Sequence, residues 1–217
     1  MATLLQDTFT DSNGTDLEAH GMTVGGGWTT HAEGGIIDPV WDIQSNRAHP
    51  ALATNFLEAE ADAGQADVTL TLDLIVPNST SYFGGATVRW TSDGNYWAVA
   101  IERDGSGTPY LAIYELASGT ATLKAGGSGV VDVPGATNST VTMTVTTSGN
   151  LISVSLNTAE TTSYSSSLYN TATRFGLWGY NGLGYTGIPI DNFLVESSGG
   201  GGAGDMLNNR LLMMGVG

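Results

Sequence analysis

The stretch LEAEADAG, residues 57–64, sets three carboxylates two positions apart: Glu58, Glu60 and Asp62. Successive side chains of an extended chain alternate between faces, so all three project from one side of a strand. Two carboxyl groups on one surface are what a retaining glycosidase needs, held about 5–5.5 Å apart across the sugar bond. The residues between them are Ala59, Ala61 and Ala63, and no aromatic ring in the stretch could seat a sugar. The stretch also precedes most of the strands that would build a cleft. It reads as a solvated strand face that turns at Gly64, and no enzymatic activity is expected of the chain.

Sugar binding without hydrolysis needs only rings and a few placed polar groups. Trp90, Tyr96, Trp97, Tyr114, Trp178, Tyr180 and Tyr185 all fall in or beside apolar runs. Trp97 shares an alternation stripe with Val99 and Ile101 and belongs to a core, whereas Tyr96 takes the opposite face. Trp178 and Tyr180 share a face. The Gly-rich GYNGLGYTG, residues 179–187, could present Tyr180, Asn181 and Tyr185 to a carbohydrate. A third chemistry is that of a hard cation. DSNGTD, residues 11–16, gathers Asp11, Asn13 and Asp16 around a glycine turn. This is an oxygen set suited to calcium, although it is shorter than an EF-hand loop and lacks its closing Glu. An Asx turn uses the same residues without metal.

Other chemistries find no support. His20, His31 and His49 are far apart in sequence, and there is no cysteine, which excludes disulfides and thiolate metal sites. The glycines at 199–202 lack the Lys-Ser/Thr of a phosphate loop. The formal net charge is −15, with six basic residues scattered singly at Arg47, Arg89, Arg103, Lys124, Arg174 and Arg210. That balance disfavours nucleic acid and anionic membranes as partners. The first residues, MATLLQDTFT, carry neither a basic segment nor an apolar one, so no signal peptide is expected, and no apolar run is long enough to span a bilayer.

The elements that must hold these groups are strands. ADVTLTLDLIV, residues 66–76, points Val68, Leu70, Leu72, Leu74 and Val76 one way and Thr69, Thr71 and Asp73 the other. TVTMTVTTSGNLISVSLN reads as two strands about a Ser-Gly-Asn turn. ATVRWTSDGNYWAVAIE breaks at Asp93-Gly94, and TPYLAIYELASGTATLKAG breaks at Ser118-Gly119. TRFGLWGY and IPIDNFLVES supply two late strands. The reading predicts at least ten strands and no helix before residue 197. Half-apolar strands must cover one another, so two packed sheets follow. The composition shifts after Glu196, which bounds a domain at 1–196.

In that order, FGGATVRWTSDGNYWAVAI, TPYLAIYELASGTATL, TVTMTVTTSGNLISVSLN and TRFGLWGYNGLGYTGIPIDNFLVES resemble the laminin-G-like, concanavalin-A-like jelly rolls. The opening QDTFTDSNGTDLEAHGMTVGGGW is similar to theirs as well. The resemblance spans nearly all of residues 4–196 and implies an all-β, two-sheet antiparallel sandwich whose first strand pairs with its last. It implies that a structural calcium between those strands would recruit Asp7 and Asp191 beside Asp11, Asn13 and Asp16. Glycosidases of this fold use a Glu-x-Asp-x-Glu-like strand, whose order of acids Glu58, Glu60 and Asp62 does not reproduce. Similar domains without signal peptides are familiar among tailed-phage structural proteins.

The chain closes on a Gly-rich tether, residues 197–204, and an apolar peptide, residues 205–217, carrying Met206, Leu207, Leu211, Leu212, Met213 and Met214. With Asp205 as N-cap and Gly215 as stop, Leu207, Leu211 and Met214 form the stripe of a short amphipathic helix. An extended RLLMMGV added to a sheet edge is the rival geometry. Burying six such side chains stabilises by on the order of 10 kcal/mol. Ordering about ten residues costs roughly as much. One tail is thus a marginal anchor, and many copies on a lattice would be a firm one. The reading that joins these features is a non-enzymatic virion structural protein, a capsid decoration or tail-associated protein made in a host cytoplasm. It would be attached to other structural proteins of its particle, in many copies, through this peptide. The alternatives are a carbohydrate-binding module that meets a surface glycan through Tyr180, Asn181 and Tyr185, and a glycosidase using Glu58 and Glu60.

Overall fold

In the computed structural model of the chain, residues 1–32, 40–51, 56–105, 107–133, 136–157, 159–182 and 184–198 are described. Alternating apolar residues, punctuated by tight turns, make strands of more than half of them. The turns at Asp93-Gly94 and Ser148–Asn150 use glycines in the left-handed region, Gly94 at φ 66° and Gly149 at φ 55°. The strands are β1 (Thr3–Asp7), β2 (Thr15–Asp16), β3 (Thr29–Ala32), β4 (Trp41–Ile43), β5 (Ala48–Pro50), β6 (Leu57–Asp62), β7 (Val68–Val76), β8 (Tyr82–Ser92) and β9 (Asn95–Arg103). After them come β10 (Tyr110–Ala117), β11 (Thr120–Gly126), β12 (Ser139–Ser148), β13 (Leu151–Leu156), β14 (Thr161–Ser165), β15 (Arg174–Gly179), β16 (Thr186–Gly187) and β17 (Ile190–Ser197). No helix occurs among the described residues.

Two sheets result. The first has nine strands in the order β14-β13-β12-β7-β17-β5-β4-β2, with β1 also paired to β17. The second has eight, in the order β11-β10-β9-β8-β15-β6-β3, with β16 running parallel to β8. All other pairings are antiparallel. The expected pairing of the first strand with the last is present, Gln6 opposite Leu194 and Asp7 opposite Phe193. The core lies between the sheets. Val68, Leu70, Leu72, Leu74 and Val76 of β7, with Val141, Met143 and Val145 of β12, face Val88, Trp97, Val99, Ile101, Ile113 and Leu177 of the second sheet. The strand pattern runs to Ser197, one residue past the sequence-based boundary. Most of the tether and all of the apolar peptide with Met206, Leu207, Leu211, Leu212, Met213 and Met214 lie outside the described residues.

Candidate carbohydrate-binding face

The outward side of the eight-stranded sheet does not alternate into solvent. It carries a second apolar cluster of Phe83, Tyr96, Ala98, Ala100, Leu116 and Trp178, with Phe56, Trp90, Tyr114, Tyr180 and Tyr185 packed against it. Strand register explains how these rings are seated. Glu58 of β6 is opposite Trp178 of β15, which is opposite Gly85 of β8. Glu60 is opposite Gly176, which is opposite Thr87, which is opposite Ala98. Glycine is demanded at the middle of both rows. A Cβ on Gly176 would lie 1.8 Å from the Ala59 carbonyl oxygen, and one on Gly85 1.9 Å from that of Val99. Long side chains from the flanking strands therefore close over a floor of small ones. Tyr96 of β9 donates its hydroxyl proton to Glu58 Oε1, spanning three strand spacings, about 14 Å.

The two glutamates are the largest departure from the sequence reading. Glu58, Glu60 and Asp62 do share a strand face, but only Asp62 is solvated; Glu58 and Glu60 are 0% and 1% exposed. Rings absent from LEAEADAG itself arrive from other strands, Trp178 from β15, Tyr96 from β9 and Trp90 from β8. Glu60 is held by a forked pair from Arg174, whose Nε donates to Oε2 and whose Nη2 donates to Oε1 at 2.6 Å. His31 Nε2 lies 3.5 Å from Glu60 Oε1, and its Nδ1 lies 2.9 Å from Asp93 Oδ1. Burial alone would raise the Glu60 pKa. The hydrogen bonds from His31 and Arg174, and the Arg174 charge, outweigh it and hold the carboxyl below its ordinary value. Trp90 lies between His31 and Arg174, stacked on the His31 ring at 4.7 Å and 5.7 Å from the Arg174 guanidinium carbon.

Trp90 reaches this face because of a β-bulge. Strict alternation would send Trp90 inward with Val88. The register slips between Val88 and Ser92, and Arg89 adopts φ 54°. Arg89 turns to the sandwich end, where its Nη2 donates to the Gly149 carbonyl at 2.7 Å, and Trp90 comes level with Arg174.

The half of the face nearer β10 is more open. Glu102 of β9 is opposite Tyr110 and accepts a 2.6 Å hydrogen bond from the Tyr114 hydroxyl. Tyr180 and Tyr185 meet edge to face, 5.7 Å between centroids. All five side chains are partly exposed. Burial, reinforced by the Glu102 charge, pushes the Tyr110, Tyr114 and Tyr185 pKa values up, so their hydroxyls stay protonated donors. The loop trio divides. Tyr180 and Tyr185 join the aromatic cluster, whereas the Asn181 amide donates to the Pro50 carbonyl at 3.1 Å and accepts from the Gly187 N–H at 3.4 Å. Asn181 thus fixes the loop that carries the rings. The Trp178 Nε1–H is buried and has no hydrogen-bond partner among the described residues.

The five oxygen-bearing residues considered for calcium are not gathered into one shell. Asp7, 1% exposed, accepts from Trp28 Nε1 at 2.7 Å and the Phe9 N–H at 2.7 Å, and lies 2.9 Å from His20 Nε2. His20 Nδ1 lies 3.2 Å from Asp11 Oδ2. An imidazolium there supplies positive charge between two carboxylates of the opening segment. Burial disfavours that charge, but the hydrogen bonds to Asp7 and Asp11 prevail and raise the His20 pKa. Asn13 accepts from the Ser45 N–H, Asp16 from the Glu18 N–H, and Asp191 from the Asn192 N–H. Among the described residues no group of three or more His, Asp or Glu is arranged to hold a metal ion.

No protein-family model matches the chain, and no curated protein matches it. Solved structures do resemble it. The carbohydrate-binding module CBM66 from Bacillus subtilis aligns over 78% of this chain and 95% of its own, with a TM-score of 0.56 and 14% identity. The CBM2 module of the evolved Dit of Lactobacillus casei BL23 phage J-1 aligns over 89% of this chain and 94% of its own, with a TM-score of 0.56 and 10% identity. The exoplasmic/lumenal domain of VIP36, solved with Ca2+ and Man3GlcNAc, aligns over 77% and 84%, with a TM-score of 0.50 and 12% identity. At these identities the likeness is one of fold, and the fold of this chain is an antiparallel jelly-roll β-sandwich.

Proposed function

We propose that the protein is a lectin-like carbohydrate-binding module whose site is the outward face of the eight-stranded sheet. One observation carries this reading: a sheet face that would ordinarily be wet is lined by aromatic rings and buried carboxylates over a floor of Gly85, Gly176, Thr87 and Ala98. Rings pack on the C–H faces of a sugar, and the partly exposed polar groups, Glu102 and the tyrosine hydroxyls, can meet its hydroxyls. The names of two structural neighbours, both carbohydrate-binding modules, agree with it. A glycan array followed by calorimetry on the best hit tests it. Tyr185→Ala should weaken that hit about tenfold or more while leaving the melting temperature within a few degrees. An array without hits, or full affinity in both Tyr185→Ala and Tyr180→Ala, overturns it.

The module's setting is a separate reading. The likeness to a module of a phage Dit protein supports placement on a phage particle, with residues 205–217 as the attachment. Removing residues 199–217 should leave the sandwich folded and abolish incorporation into the parent particle. Incorporation at full occupancy would show the peptide to be dispensable. The arrangement of Glu58 and Glu60 does not favour hydrolysis, because Glu60 is committed to Arg174 and Glu58 accepts from Tyr96.

A further inference from the structure

Resting on the glycan-binding reading, we propose that the Glu102 end of this face selects a sugar bearing a free amino group, bound as its ammonium. Glu102 is ringed by Tyr110 and Tyr114 from β10 and approached by Tyr185 from the loop. Its acceptor atoms meet only neutral hydroxyl donors, and no Lys, Arg or His lies within salt-bridge distance among the described residues. Four of the five described Lys and Arg side chains are engaged elsewhere. Arg103 bonds Gly107, Ser79 and Thr137, Lys124 pairs with Glu115 at 3.1 Å, Arg89 with Asp67 at 3.3 Å, and Arg174 with Glu60.

A carboxylate among aromatic rings, without an internal counterion, suits an organic cation: rings attract it through their faces and the carboxylate adds a charge-assisted hydrogen bond. A second feature lies beside it: Trp178, 0% exposed, packs at a tilt against Tyr114 with 5.6 Å between ring centroids, and its buried Nε1–H has no hydrogen-bond partner among the described residues. The sealed half offers no equivalent, since Glu60 already holds its cation. The net charge of −15 further disfavours uronic or phosphorylated glycans.

The test is calorimetry of the full chain at low salt with matched oligosaccharides: glucosamine oligomers, their N-acetylated counterparts, and cello-oligomers. Choline serves as a cation without a sugar. Glucosamine oligomers should bind about tenfold tighter than the N-acetylated set. Glu102→Gln keeps an acceptor for Tyr114 and should reduce that ratio to within about twofold. Glu196→Gln, which removes a charge from the other sheet, should leave the ratio unchanged. Equal binding of the amine and acetyl forms, or a preference that survives Glu102→Gln, overturns the inference while leaving glycan binding intact. Choline binding as tight as the amino sugar overturns the sugar part of it. Binding of none of the oligosaccharides overturns the glycan-binding reading and this inference with it.

Discussion

The two outward faces of the sandwich obey different rules. On the nine-stranded sheet, β7 and β12 alternate strictly, core residues inward and Thr69, Thr71, Thr142, Thr144 and Thr146 outward. Hydroxyls of β12, β13 and β14 line a shallow depression there of about 410 Å3, bounded by Thr144, Thr146, Ser153, Ser155, Thr161 and Ser163. On the eight-stranded sheet, β6, β8 and β9 are buried on both sides over most of their length. The first face needs no partner, because each hydroxyl exchanges bonds with water at no net loss. The second has covered its own outward surface with rings and charged groups, which costs desolvation that is offset where a buried charge is paired, as Glu60 is by Arg174. Where a sheet spends its outward face in this way, that face is the one to test for binding.

The comparison breaks most sharply at the glycine floor. Gly176→Val should destabilise by about 3 kcal/mol or more, since its Cβ has only backbone to displace. Chemical denaturation measures this, and a loss below about 1 kcal/mol would mean the floor can move.

The next effect concerns the charge pair. Arg174→Ala strands the Glu60 carboxylate, which is 1% exposed. The expected loss is about 2 kcal/mol, smaller than for a sealed pair because the Arg174 side chain is 37% exposed and water screens it. The pH dependence has a definite sign. The Glu60 pKa is depressed in the folded state, so its contribution is complete above the unfolded value of 4.5 and is lost as pH falls through the folded value. Glu60→Gln should flatten that acid limb; an unchanged limb would place the titrating group elsewhere.

A smaller effect belongs to His20, beside the first sheet. Its folded pKa is raised, so its contribution is complete below the unfolded value of 6.5 and fades as pH rises through the folded value. His20→Gln should cost about 1 kcal/mol near pH 6 and less in alkali. A cost that grows with pH would show that neutral His20 is the stabilising form. The smallest effect is expected on the hydroxyl face. Thr144→Val should change stability by no more than about 0.5 kcal/mol, and a larger loss would mean that this face, too, is built rather than merely wet.

Alternation and turn chemistry make the strands legible: the β7 stripe and the breaks at Asp93-Gly94, Ser118-Gly119 and Ser148–Asn150 stand as read. The pairing of β1 with β17 is what the jelly-roll resemblance implies, and it too is present. The candidate site is only half legible. The loop sequence picks out Tyr180 and Tyr185, and alternation puts Tyr96 on the face away from Trp97. The local pattern makes Glu58 and Glu60 solvated because periodicity reports which face a residue takes, not what covers it. The covering rings come from β8, β9 and β15, at separations of 30 to 120 residues that a local pattern does not join. Trp90 is among the rings the sequence offers, but the face it takes is concealed by the bulge, which shifts the parity there. A signal was present nonetheless: FGGATV and YWAVAI carry small or apolar residues at both parities, which marks a strand buried on two sides.

The neighbouring places of β1 and β17 have a mechanical consequence. The Ala2 N–H donates to the Ser197 hydroxyl at 2.8 Å, and the Ser197 N–H donates to the Ala2 carbonyl at 2.9 Å, so both ends of the described sandwich leave from one point. Tension applied between those ends would peel the antiparallel pair one rung at a time, a geometry that yields at low force. Tension between the C-terminal end and the distant β9–β10 face would instead be borne by β17 while it remains clamped by β1 on one side and β7 on the other. The same sandwich is therefore soft when its two ends are drawn apart and stiff when a load on the β9–β10 face is resisted at its C-terminal end.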